Sequence, residues 1–513
     1  MALPTSPFSP VPLLFLSAPD SDLMAFLDEA RGLVAGCPGL VDAVEADLDA
    51  HGRNKKALRV ADAAWVAAAQ TSSLPGHTRA PIVVDPAGLD LAQGRPRTPA
   101  YVVLTALLLR GYFGAGFKAC DTATMMLESR TLEVFFANQG LRMPGQSTLT
   151  ELVNAVSNET RLLILDAQVA RVLLLGWDDF SVMLQDSTHV EGNTAWPTDS
   201  RLLVALVERL LRVGASLPGL VLPAIESPSA RGHLSVMRQL DREIDLAPQS
   251  RDRGRTRRRR YEKLLWRARR VHATMSEAIA EVEAALAVLD VLPSRKAMAD
   301  RAVHRLRTDV DALAQVITTC EARVIREEKV PMADKKLSVS DPDVGFIAKG
   351  QRVPVVGYKP QLARSGVGFI TGLLLPRGNA ADSKQLVPMV EEVARRTGVV
   401  PDVASVDDGY ASKANVSELR GKGVRVISIN GAKGRALTAR ADWESDEYAV
   451  ARDQRSAVES LMFTLKQGFH FGEVARRGLL QVHGELLEKA IAYNLCHMVR
   501  TRLAIEHARE RAA

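Results

Sequence analysis

The chain has 513 residues and a mass of 55.7 kDa, with 47% hydrophobic and 25% charged residues. The length allows about three domains, and the composition excludes collagenous, mucin-like and wholly disordered classes. With 66 basic residues against 60 acidic, the net charge is only +6, so a polyanionic partner must be argued from where the charges sit.

The first fifty residues set eight acids against Arg31, with leucines and valines at helical spacing, which predicts an acidic helical preface over 1–73. The stretch before Arg31 has no basic n-region, so no signal peptide is expected. Cys37, Cys120, Cys320 and Cys496 lie too far apart for any CxxC spacing, which suits a reduced, cytoplasmic protein. Residues 74–99 are rich in proline and glycine and read as a linker. Helical periods return over 100–177, where the apolar run Tyr101 to Leu109 stops at Arg110, too short to span a bilayer. Thr148 with Glu151 three residues later reads as a capping box.

Phe180 to Val190 alternates like a strand, and a helix is expected to follow Pro197-Thr198-Asp199-Ser200. From about 228 to 330 the pattern is wholly helical. Leu265, Ala268, His272, Met275, Ile279, Val282, Leu286 and Leu289 step by threes and fours, and Val303, Leu306, Val310, Leu313, Ile317, Cys320 and Val324 resume the stepping after Pro293. This is a heptad seam on two helices of an antiparallel hairpin. Strands return over Val353 to Leu362, Gly368 to Leu375, Val403 to Val406 and Val424 to Ile429, with helices from Ser383 and Ser412 between them and further helices from about Ala449. Alternation of this kind predicts an α/β core. The expected division is 1–73 preface, 74–99 linker, 100–177 helical domain, 178–215 with 336–500 α/β core, 216–335 helical insertion and 501–513 charged tail.

Three acids stand out by position. Asp186 ends the first strand, Asp407 ends a later buried one, and Glu459 lies on a helix in "RDQRSAVESLMFTLKQGF". Carboxylates on neighbouring strand ends, joined by one from a helix, suit hard divalent cations, and a metal pair of this kind serves phosphoryl displacement. Strand-end aspartates are also common turn formers, and on the residues alone that reading stays open. Arg455, Glu459 and Lys466 fall on one helical face; an i,i+4 Arg–Glu pair on a solvated face is the plain alternative. Asp199 and Asp382 precede predicted helices and read as N-caps. Asp408 and Glu191 are candidates for supporting the site, and His189 for orienting phosphate, with a structural histidine as its alternative.

These blocks resemble the DDE transposases of bacterial insertion sequences, over most of the chain. "GRPRTPAYVVLTALLLRGYFGAGF" and "GQSTL" resemble that group's helical N-terminal domain, "DSTHVEGNTAWPTDSRLL" its first-Asp block, and "RRGLLQVHGELLEKAIAYNL" its closing helices. "VDDGYASKAN" is similar to its Asp-x-Gly-Tyr block, which puts the second acid at Asp407 and not Asp408. Many members carry Tyr, two residues, Arg, three residues, Glu, six residues, Lys; Arg455, Glu459 and Lys466 match that spacing, while Arg452 stands where the Tyr would be. The resemblance implies an α/β ribonuclease H-like catalytic core interrupted by the helical hairpin and preceded by an all-α domain. It implies Asp186, Asp407 and Glu459 as metal-holding catalytic residues for two Mg²⁺ ions, with Mn²⁺ as a substitute, and Arg455 and Lys466 as phosphate-positioning groups. It further implies DNA partners, namely terminal inverted repeats and target DNA, and a homodimer or higher assembly on DNA in the nucleoid, with no membrane association.

Arg251 to Arg270 holds eleven bases and two acids, including Arg257, Arg258, Arg259 and Arg260 beside Tyr261 and Trp266. Such density suggests phosphate contacts, with a solvated helix face as the alternative. Gly94-Arg95-Pro96-Arg97 reads as a plain linker, with a minor-groove arm as its alternative. A non-catalytic DNA-binding descendant and a nuclease without strand transfer are the rival functions.

Overall fold

The computed structural model describes residues 19–71, 82–91, 97–113, 119–194, 198–215, 228–246, 254–288, 291–348 and 353–512. Gly94-Arg95-Pro96, much of the linker and Arg251 to Arg253 lie outside them. In chain order the helices are α1 (Pro19–Gly36), α2 (Gly39–Thr71), α3 (Ala100–Phe113), α4 (Ala119–Glu128), α5 (Arg130–Ala137), α6 (Gln146–Ala155) and α7 (Asn158–Leu174). After strands β1 (Val182–Ser187) and β2 (Val190–Glu191) come α8 (Asp199–Ala215), α9 (Pro228–Asp245), α10 (Arg255–Val288) and α11 (Pro293–Cys320). Strands β3 (Gly345–Ile347), β4 (Val355–Tyr358), β5 (Gln361–Ser365) and β6 (Ile370–Leu374) precede α12 (Leu386–Thr397), β7 (Val403–Asp407), α13 (Lys413–Gly421) and β8 (Val426–Asn430). Helices α14 (Ala432–Leu437), α15 (Arg440–Trp443), α16 (Asp446–Gln454), α17 (Ser456–Gly468) and α18 (Leu479–Ala512) close the chain. None of the described helices is long and apolar enough to cross a membrane.

Compact packing divides the chain into two units, a coarser partition than the six segments read from the sequence, whose bounds stand as a proposal. One unit holds Met1–Asp49, Gly94–Asn193 and Asp343–Ala513; the other holds Ala50–Gln93 and Thr194–Pro342.

The first unit is built on a mixed five-stranded sheet of order β6-β5-β1-β7-β8. β1 runs antiparallel to β5 and parallel to β7, and β7 runs parallel to β8. Met183, Ala363, Ala404, Val406, Ile427 and Ile429 share one face and bury against Leu386, Met389, Val390 and Val393 of α12, the amphipathic stripe that a half-buried helix needs. On the other face the Ser405 hydroxyl donates to the Ala451 carbonyl of α16 at 2.7 Å, and α17 packs on β1. A smaller sheet, β2-β4-β3, completes the strands. The expected strand Val353 to Leu362 is therefore two strands in two sheets, divided at Lys359-Pro360, where proline has no N–H for a ladder.

Helix α3 is apolar all round because it is enclosed on all sides, with Val102 to Leu109 buried. It crosses α18 closely at Gly111, where a Cβ would stand 2.2 Å from the Glu488 carbonyl oxygen. Arg110, at the end of the apolar run, forks onto the Glu488 carboxylate, its Nε at 2.6 Å. Arg161 of α7 donates to the same carboxylate at 2.7 Å and Arg476 at 3.1 Å. The capping box expected at Thr148 is not formed. α6 starts three residues earlier with the extended Gly145 as N-cap and no side-chain bond. Arg97 pairs with Glu45 and Asp49 of α2, the neutralisation expected of a base beside an acidic helix.

The second unit is helical. The heptad positions of α10 and α11 form its core: Leu265, Ala268, Met275, Ile279, Val282 and Leu286 meet Val303, Leu306, Val310, Leu313, Ile317 and Cys320, with α8 and α9 supplying Leu203, Leu206, Leu210, Met237 and Leu240. Pro293 opens α11 at its first turn, where a missing N–H costs nothing. The cap read at Asp199 is a correction: the Thr198 hydroxyl accepts from the Arg201 N–H at 3.3 Å, and Asp199 is instead held by Arg323 at 2.8 Å.

Candidate active site

The parallel register pairs Leu184 with Ser405. Asp186 and Asp407 each lie two residues further along their strands, so alternation puts both carboxylates on the face that Leu184 and Ser405 occupy, side by side at the carboxyl edge. Asp186 is buried, and its Oδ1 accepts from the Ser187 N–H at 2.7 Å. Asp407 accepts from the Gly409 N–H at 2.9 Å, closing the turn Asp408–Tyr410. Asp408 points elsewhere: its Oδ1 accepts from the Gly434 N–H at the start of α14, at 2.9 Å. Gly431 is required for that contact, with φ of 129° and a would-be Cβ only 2.5 Å from the Asp408 carboxyl carbon.

Helix α17 brings the third acid. Its first turn is fixed to the sheet by Arg364 of β5, whose Nη1 donates to the Ala457 carbonyl at 2.7 Å. Arg455 sits at the junction of α16 and α17, its Nη1 3.8 Å from Asp186 Oδ2 while its Nη2 grips Glu459 Oε1. Glu459 is the outlying member, its side chain 58% exposed against 11% for Asp186. Lys466 is two turns further, about 10 Å along the same face. Arg452 stacks over Trp443 at 5.7 Å, and its carbonyl accepts from Asn430 at 3.2 Å; it helps to hold α16 on the sheet edge.

Beneath the aspartates, on the opposite face, lies a polar knot that sequence reasoning missed. Gln361 is fully buried. Its Nε2 donates to Asp382 Oδ1 at 2.8 Å, and its Oε1 accepts from the Tyr410 hydroxyl and from Gln185 Nε2, the latter at 3.3 Å. Asp382 is an acceptor only, so the amide orientation follows from chemistry. Lys359 completes the knot, its Nζ 2.9 Å from Asp382 Oδ2. The cap read at Asp382 is thus a correction: its side chain is held by Lys359 and Gln361, and no side chain caps the turn Asp382–Lys384. Burial pushes the Tyr410 hydroxyl well above its usual pKa, and Asp382, Asp186 and Asp407 push it further. Residues adjacent to both aspartates, Gln185 and Tyr410, thereby converge on one amide. Gln361 is two residues from Lys359 in "GYKPQ"; no periodicity or charge pattern marks it.

The donor set of Asp186, Asp407 and Glu459 is all oxygen, which is the chemistry a hard divalent cation takes. Among the described residues no three His, Cys, Asp or Glu side chains are gathered closely enough to hold a metal, because Glu459 is turned onto Arg455. Glu191 lies on β2 in the smaller sheet, its N–H donating to the Gly472 carbonyl at 2.8 Å. In the helical unit, Arg257, Arg258, Arg259 and Arg260 occupy the first turns of α10.

Residues 310–495 match the family model described as the transposase DDE domain. The match takes in Asp407, Arg455, Glu459 and Lys466 and leaves Asp186 and Arg257 to Arg260 outside it. No curated protein and no solved structure matches the chain. On this match, the stretch 310–495 is similar to the transposase DDE domain, which supports a DDE transposase.

Proposed function

We propose that the protein is a DNA transposase that cuts at the ends of an element and joins the freed 3′-OH to target DNA, with Asp186, Asp407 and Glu459 as its acid set. The observation that carries this reading is the setting of Asp186 and Asp407 on adjacent parallel strand ends, with Glu459 on the helix packed against β1, in a chain whose DDE match covers two of the three. A five-stranded sheet that is antiparallel on one side of β1 and parallel on the other supports a ribonuclease H-like core interrupted by the helical segment.

Arg455 touches Asp186 and Glu459 at once and so limits the repulsion that two clustered carboxylates exert. Its planar fork also suits a phosphate diester entering between them, and Lys466 offers a second cation further along the strand's path. The three carboxylates would hold Mg²⁺, two ions with Mn²⁺ as substitute; bound there, the metal supplies activation of the attacking hydroxyl and neutralisation of the leaving oxygen. Terminal inverted repeats and target DNA are the proposed partners. Two element ends call for a homodimer or larger assembly, at work on the nucleoid.

The test is an assay of the full chain with paired element ends, Mg²⁺ and a target plasmid. Alanine at Asp186, Asp407 or Glu459 is expected to abolish cleavage while DNA affinity changes less than twofold. Asp408→Ala is expected to retain activity, because that carboxylate supports α14. A dead Asp408→Ala beside an active Asp407→Ala would move the second acid by one residue. Nicking without joining would favour a nuclease, and binding with neither would favour a non-catalytic DNA-binding protein.

A further inference from the structure

Within the helical unit, α10 distributes its cations unevenly. Arg257 lies over the Tyr261 ring at 5.8 Å, Arg258 pairs with Glu262 at 3.5 Å, and Arg260 pairs with Glu243 at 3.2 Å. Arg259 instead lines a groove of about 790 Å³ between α9 and α10, together with Lys263, Trp266 and Arg267. The groove's two acids are Glu243 and Glu262. They are matched by Arg260 and Arg258, so Arg259, Lys263, Arg267 and nearby Arg270 leave it cationic.

Trp266 is the unusual member, with 52% of its surface exposed. An indole of this size is ordinarily mostly covered. The guanidinium groups of Arg267 and Arg270 stand 5.6 and 5.7 Å from its ring centroid, and the His233 ring meets it edge-on at 5.8 Å. Arg267 Nη1 is 3.1 Å from His233 Nδ1. Arginine only donates, so Nδ1 accepts and the imidazole is neutral. Burial, then Arg267 and Arg270, hold the His233 pKa below its ordinary value. Arg259, Lys263, Trp266 and Arg270 step by four, three and four along one helical face, over about 16 Å.

We propose that this groove binds an unpaired stretch of DNA, one base stacking on Trp266 and the flanking phosphates meeting Arg259, Lys263, Arg267 and Arg270. The inference rests on the transposase reading, in which strand cutting supplies unpaired ends. A cationic track with an exposed aromatic is the arrangement that holds single strands. A duplex keeps its base faces stacked inside and offers the indole only phosphate, so the half-exposed ring favours an unpaired base. The stripe from Arg259 to Arg270 lies within the basic run read off the sequence, and three of the four arginines at 257–260 have partners within the helices.

The experiment measures anisotropy of a labelled single-stranded oligonucleotide, and of the same sequence as duplex, with the full chain at fixed salt. Trp266→Ala is expected to weaken single-strand binding by about 5- to 150-fold and duplex binding by less than twofold, with Trp266→Phe retaining most of the affinity. Arg259→Gln with Lys263→Gln is expected to lower the log–log salt slope for the single strand by about 1.4. Equal losses on both substrates, or none on either, would overturn the proposal while strand transfer by the unaltered chain leaves the transposase reading standing. Failure of the unaltered chain to bind either DNA would instead remove that reading, and this inference with it.

Discussion

Glu488 carries the most quantifiable perturbation in the molecule. Its carboxylate, with 2% of its side chain exposed, serves three guanidinium groups, of which Arg110 and Arg161 are 6% and 4% exposed. Burial alone would raise the Glu488 pKa, yet Arg110, Arg476 and Arg161 together pull it well below the usual carboxylate range. Burial lowers Arg110 to about 10, against the pull of Glu488, because three cations share one anion. Glu488→Gln keeps the shape and one acceptor but leaves that positive charge uncompensated, and breaking a buried pair in this way costs about 3–5 kcal/mol. At about 2 °C per kcal/mol the expected fall in melting temperature is about 6–10 °C, read from the fluorescence of Trp177 and Trp443, which lie in the same unit. Glu444→Gln, which breaks the exposed pair with Arg440, is the control, expected to cost under about 0.5 kcal/mol. The pH dependence has a definite sign. A carboxylate whose folded pKa is depressed contributes stability that is fully present above its unfolded value of about 4.3 and is lost as pH falls through the folded value. Unaltered protein should therefore lose stability below about pH 4.3 more steeply than the variant does. A loss no larger than that of Glu444→Gln would refute the reasoning, since it would mean that the three arginines are not held by this charge.

The polar knot under the aspartates predicts that Gln361→Leu slows Mg²⁺-dependent cleavage by at least about tenfold, equivalent to about 1.4 kcal/mol, with DNA affinity within twofold. Tyr410→Phe, which removes only one donor, should cost about 1 kcal/mol in stability, measured by urea unfolding. Burial and then Arg500 lower the His497 pKa to about 4. Since that lies below the unfolded value of about 6.5, its contribution is complete above pH 6.5 and is lost as pH falls toward 4. His497→Gln should remove about 3 kcal/mol of acid destabilisation at pH 4, seen as a flatter profile of melting temperature against pH.

The parts legible in the sequence were those that repeat within a few residues. The seam of α10 and α11 could be read because burial of one helical stripe imposes steps of three and four, and the same residues form the helical unit's core. The strands β1, β6, β7 and β8 followed from alternation and β-branching, whereas β3 was not marked and β4 and β5 were read as one; the three candidate acids came from strand ends and motif spacing. Caps were read less well at Thr148, Asp199 and Asp382, because a polar side chain near a helix start takes whichever partner tertiary structure offers. For Asp199 and Asp382 those partners were Arg323 and Lys359, far away in sequence. The joining of Gln185, Gln361, Asp382 and Tyr410 and the ion cluster at Glu488 were invisible for the same reason: Arg110 and Glu488 are 378 residues apart. Only the folded sheet also decided which strand acids lie side by side, since register between β1 and β7 sets Asp186 beside Asp407; the Arg455–Glu459 pair, a four-residue helical step, was legible locally. Local patterns record which face of an element is dry; the pairing of two buried polar groups is set by the packing that removes water from both.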